Sequence, residues 1–231
     1  MFFDPIYLLF VGPGMLLSLI AQIWVKSSFA RFSKVGVATG LSGADAAQRI
    51  VNRSGIGVRV ERVGGFLSDH YDPRDKVLRL SPAVYDGRSI ASIGVAAHEA
   101  GHALQHANGY ALLQLRTAVV PAASIGSNLA MPIMIIGMLF HFAGLLYAGI
   151  ILFSAVVLFQ LITLPVEIDA SRRALALVRT EGIVVSDAEA AGARTVLTAA
   201  AMTYVAAAAT AILTLLYFLM KAGLLGGSRR D

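Results

Sequence analysis

Five consecutive residues, His98-Glu99-Ala100-Gly101-His102, bring together the side chains that hydrolytic metal chemistry needs. On a helix, histidines four positions apart stack one turn above each other on the same face, so both imidazoles can reach one tetrahedral zinc ion. The glutamate beside the first histidine can then reach a water held as the fourth ligand. Zinc lowers such a water's pKa towards about 7, and the carboxylate takes its proton before attack on an amide carbonyl. The bland alternative is a chance match on a helix whose histidines are merely polar. The small neighbours Ala97, Ala100 and Gly101 favour the chemical reading, because they leave room for close packing beside a metal.

A third protein ligand is needed, and the residues available are His106, His70 or an acid in the second polar segment, residues 167–194. His106 is one further turn along the same segment, about 12 Å along a helix axis from His98, which is far for one ion and suits a polar role at a helix end. Glu167 is the preferred ligand. It follows Pro165 at the mouth of a long apolar stretch, where an ionisable side chain is costly unless it serves a partner or an ion. Pairing with Arg172 or Arg173 is the competing explanation. Asp169 then becomes a candidate for hydrogen-bonding the far nitrogen of one ligand histidine and fixing its tautomer. His70, or Tyr71 as the alternative, is a candidate to stabilise the oxyanion of a tetrahedral intermediate. Equally, His70 can be a turn residue bonded to local backbone.

These residues need elements to hold them, and composition says which solvent those elements meet. The chain of 231 residues is 57% hydrophobic and only 14% charged, with a mean hydropathy of +0.71; much of it belongs in a bilayer. The net charge of +5 does not imply nucleic acid, since the basic residues are scattered among acids without aromatic interleaving. There is no cysteine, so disulfides and thiolate ligands are excluded and a metal must be held by His and carboxylates.

Residues 5–25, 118–140, 144–164 and 196–220 are uncharged stretches long enough to cross a hydrocarbon core of about 30 Å. The first reads as a span rather than a cleaved signal, because Met1 to Asp4 carry no basic residue. Residues 26–117 have the composition of a small α+β domain. Within it, helices are expected from Ser42 to about Arg53 and from about Ser89 to His106, with strands at Val58 to Val63 and Lys76 to Leu80. The second strand, just before the histidine helix, is expected to be an edge to which extended peptide can add. A polar segment, 165–195, follows the third span, and 221–231 is a short tail expected to be disordered. Four spans put residues 26–117 and 165–195 on the same side. Sixteen of the nineteen Lys and Arg residues lie there, which the positive-inside rule reads as cytoplasmic.

Three segments together resemble a known family. They are Ala96-Ala97-His98-Glu99-Ala100-Gly101-His102-Ala103-Leu104-Gln105-His106, Asp69-His70-Tyr71-Asp72-Pro73, and Pro165-Val166-Glu167-Ile168-Asp169-Ala170-Ser171. They look like the YugP-like neutral zinc metallopeptidases of bacterial membranes, and more distantly like HtpX-like membrane proteases. In the latter the third ligand is the glutamate of an E-x-x-A-D pattern after a transmembrane hairpin. Aligning Glu167 there puts Ala170 on the alanine and Ser171 where those enzymes have aspartate.

The resemblance implies a mainly α-helical membrane protein with a small zinc-peptidase domain between spans one and two. It implies one zinc ion in a gluzincin-like set of His98, His102 and Glu167, with Glu99 as the base. The substrate expected is an unfolded or membrane-associated polypeptide, cleaved at the cytoplasmic face of the bacterial inner membrane. Two rivals stand beside this reading: an intramembrane site-two-type protease, and a catalytically silent zinc-binding membrane scaffold.

Overall fold

The computed structural model describes residues 4–65 and 68–225; residues 226–231 of the expected tail, Arg229 and Arg230 among them, lie outside these. Four helices among the described residues are long and apolar enough to cross a membrane: α1 (Pro5–Phe32), α5 (Ala111–Leu139), α6 (Ala143–Thr180) and α7 (Asp187–Lys221). Between α1 and α5 lie α2 (Gly43–Arg53), a sheet of β1 (Arg59–Arg62), β2 (His70–Asp72) and β3 (Val77–Leu80), a short α3 (Pro82–Tyr85), and α4 (Ile90–Ala107). This is the mainly helical architecture expected, with its small α+β insertion between the first two spans.

The chain divides into two compact units. One is built from the described parts of residues 1–20, 115–164 and 203–231. Its helices turn large apolar side chains outward, Leu9, Phe140 and Ile151 among them, each more than 70% exposed. Such a surface is stable against lipid and unfavourable against water. Inside the unit, α5 and α6 form a hairpin around His141, which takes a left-handed φ of 53°. They pack closely through small residues: a Cβ added to Gly126 would lie 2.4 Å from the carbonyl oxygen of Leu152.

The other unit comprises residues 21–114 and 165–202. The apolar side chains of α2 (Ala46, Ala47, Ile50), of β3 and of α4 (Ile93, Ala97, Ala100) share one core with Ala174 and Val178 of α6 and Ala193 of α7. Local signals set the helix ends. Ser42 caps α2 in a capping box, its hydroxyl accepting from the Asp45 amide while the Asp45 carboxylate accepts from the Ser42 amide. Ser89 caps α4 through the Ser92 amide, and Gly109 beyond its end has a φ of 63°.

The sheet corrects one expectation. Its order is β1-β3-β2, with β1 parallel and β2 antiparallel to β3. The strand ending at Leu80 is therefore central. Both its hydrogen-bonding edges are filled, so no peptide can add to it. The cause is β2, a three-residue strand pairing His70 with Arg79, Tyr71 with Leu78 and Asp72 with Val77.

Candidate metal centre

The histidine motif falls on the second half of α4, and Glu167 falls on α6, in the same compact unit. The side chains of His98, His102 and Glu167 converge, with one ligand atom from each lying within 4.8 Å of the others. Glu167 Oε2 is 3.2 Å from Nε2 of His98 and 3.5 Å from Nε2 of His102. The glutamate is almost fully buried, 2% exposed. A buried carboxylate between two imidazoles is costly unless a cation or shared protons compensate it.

The other ring nitrogens are engaged elsewhere. His98 Nδ1 bonds Ser171 Oγ at 3.1 Å, and His102 Nδ1 bonds Gln105 Oε1 at 2.9 Å. Both Nε2 atoms are thereby directed at Glu167. Two imidazole nitrogens and one carboxylate oxygen are the donors zinc takes in catalytic sites, where three protein ligands leave a fourth position for water or substrate. The residues present fit that ion. Burial opposes a positive charge on His102, but the Glu167 and Glu99 carboxylates outweigh it and raise its proton affinity above that of an ordinary histidine. The negative field that favours a proton there also favours a cation.

The helices meet this closely because of one residue inside the motif. A Cβ on Gly101 would stand 2.6 Å from the carbonyl oxygen of Ala170. Only glycine lets α4 and α6 approach at that level, one turn beyond Glu167.

Glu99 is buried, and its Oε2 accepts a hydrogen bond of 3.1 Å from the Tyr71 backbone amide, so β2 holds the carboxylate from the side of the sheet. The remaining expected residues divide. His70 is exposed, and its Nδ1 donates to the Ser68 carbonyl at 2.7 Å, which is local turn bonding. Tyr71 is half-buried, its hydroxyl 2.8 Å from His106 Nδ1 at the end of α4. Burial, then the Asp72 charge, raises its phenol pKa, so it stays a neutral donor. Asp169 does not bond a histidine directly: its Oδ2 accepts from Gln105 Nε2 at 2.8 Å and from Arg173 Nε at 2.6 Å. Gln105 and Ser171 are the groups that sequence reasoning missed. The available signals were, for Gln105, its place three residues after His102 on the same helix face and, for Ser171, its alignment four residues after Glu167 with the aspartate of the E-x-x-A-D pattern.

A helix-borne histidine pair with an adjacent glutamate, a glutamate from a second helix, and four membrane-length helices define the class of membrane zinc metallopeptidases. The chain belongs to the family described as "Putative neutral zinc metallopeptidase", which matches residues 7–223. It is 49% identical over 205 residues to the "Putative membrane protease YugP" of Bacillus subtilis (strain 168), covering 88% of this chain and 91% of that protein. No solved structure matches it significantly.

Proposed function

We propose that this protein hydrolyses peptide bonds of unfolded or membrane-associated polypeptides at the cytoplasmic face of the bacterial inner membrane, with one zinc ion held by His98, His102 and Glu167. The observation that carries the reading is the convergence of two Nε2 atoms and one buried carboxylate, with both Nδ1 atoms already bonded. When bound, zinc supplies Lewis acidity, polarising a scissile carbonyl and making water a nucleophile near neutral pH.

The chain's own residues do the rest. Glu99 takes the proton of the attacking water; with Oε2 anchored by the Tyr71 amide, Oε1 is the atom free for it. As the C–O bond forms and the C–N bond breaks, the same carboxylic acid returns that proton to the leaving amine. Of the two candidates for donating to the developing oxyanion, His70 has its ring turned to the Ser68 carbonyl, whereas Tyr71 meets Glu99 through its backbone amide and is a neutral phenol, which favours Tyr71 once its hydroxyl leaves His106 Nδ1. Asp169 acts on the site through Gln105 rather than on a histidine.

The rivals separate on specific features. A site-two-type protease needs its motif in a membrane span, and α4 is not among the helices long and apolar enough to cross a bilayer. A silent scaffold has no use for Glu99, yet a buried glutamate stands beside the histidine pair. Glu99→Gln tests this: it keeps zinc and loses casein hydrolysis by about 10²- to 10⁴-fold, the usual worth of a general base. Unchanged hydrolysis would reject the mechanism.

A further inference from the structure

The geometry points to Gln105 as a positioning residue that sets two of the three candidate ligands at once, an inference that rests on the metal site proposed above. Its side chain is fully buried. One end of the amide lies 2.8 Å from the carbonyl oxygen of Val166 and 2.8 Å from Asp169 Oδ2. A carbonyl and a carboxylate can only accept, so that end is the NH2 group and both its hydrogens are used. The opposite end is therefore the oxygen, and it faces His102 Nδ1 at 2.9 Å.

An amide oxygen cannot donate, so Nδ1 must carry the hydrogen. That leaves the lone pair of His102 on Nε2, the nitrogen turned towards Glu167. The same amide grips the backbone of Val166, the residue immediately before Glu167, and so ties α4 to α6 at the level where the carboxylate is presented. Asp169, held by Arg173, orients the amide, and its charge stays one step removed from the imidazole. A neutral acceptor fixes the tautomer and adds no further negative charge next to the buried Glu167.

The test uses the full-length protein in detergent micelles. Zinc affinity is measured by competition with a chromogenic chelator for the wild type, His102→Ala and Gln105→Leu, and thermal melting is followed without metal. Gln105→Leu should weaken zinc binding by about 10- to 100-fold, the usual worth of a group that orients a ligand histidine. Wild-type affinity in that variant would overturn the role of Gln105 and leave the metal site standing. No zinc uptake by the wild type would instead remove the site itself, and the inference with it. Should Gln105→Leu fail to fold, the unmodified protein decides. With ¹⁵N-labelled histidine and zinc bound, the His102 resonances, assigned by their loss in His102→Ala, should show a protonated Nδ1. A metal-bound or unprotonated Nδ1 would reject the assignment.

Discussion

Glu99 and Glu167 are both buried carboxylates, yet their partners give them different work. Glu167 has an imidazole nitrogen on each side and suits a cation; Glu99 is anchored through one oxygen by the Tyr71 amide and suits a proton carrier. Ser171 steadies the other histidine. Ser171→Ala should lower zinc affinity by about tenfold while leaving the fold intact, as read by chelator competition and melting temperature; unchanged affinity would show that His98 needs no orienting partner. Glu167 was legible in the sequence because an ionisable residue just past an apolar stretch is costly without a purpose. The roles of Ser171 and Gln105 were not, since neither residue type signals metal chemistry, and the contacts of Ser171 with His98 and of Gln105 with Val166 and Asp169 form only when α4 and α6 pack. Asp169, a candidate for bonding a ligand histidine directly, has a glutamine between it and His102.

Among the elements, the α4–α6 contact decides whether the candidate site exists. Gly101→Ala drives a methyl group against the Ala170 carbonyl, and the helices must separate. A loss of about 1–3 kcal/mol in stability is expected, together with weakened zinc binding. Calorimetry and a zinc titration would check both, and a variant with unchanged affinity would mean the approach is not required. The cap of α2 makes a contrasting case. Ser42→Ala should cost about 1 kcal/mol and leave hydrolysis per folded molecule unchanged. The Asp45 carboxyl sits below its ordinary pKa because it accepts from the Ser42 amide and hydroxyl. Its contribution is therefore full above the ordinary carboxylate range and is lost as pH falls through its lowered value.

Helix ends with glycine or serine signals could be read in advance, as Ser42, Ser89 and Gly109 illustrate. The ends of α6 and α7 could not be placed from apolar runs. Hydropathy reports contact with lipid, whereas the polar continuations to Thr180 and from Asp187 are held by the core they share with α2 and α4. Strand β2 escaped because it is only three residues long and runs into the turn-like Asp72-Pro73-Arg74-Asp75, so that pairing with β3 alone makes it a strand.

At the scale of the whole molecule, the outward apolar faces of the long helices make lipid the natural surroundings, and the proposal that the unit holding the candidate metal site faces the cytoplasm is a prediction of the positive-inside rule. The absence of native cysteine allows a clean topology test. Asn108→Cys and Phe142→Cys would be treated in intact cells with an inner-membrane-impermeant thiol reagent. Labelling should occur at position 142 and at position 108 only after lysis, and the reverse pattern would place the unit outside.

Zinc content and casein hydrolysis, measured together in the purified wild type and in Glu167→Ala, address the central claim most directly. The wild type should hold one zinc per chain and cleave casein, while Glu167→Ala, folded by melting and circular dichroism, should lose both the metal and the cleavage. A folded Glu167→Ala protein that keeps its zinc and its full activity would contradict the proposed His98, His102 and Glu167 site.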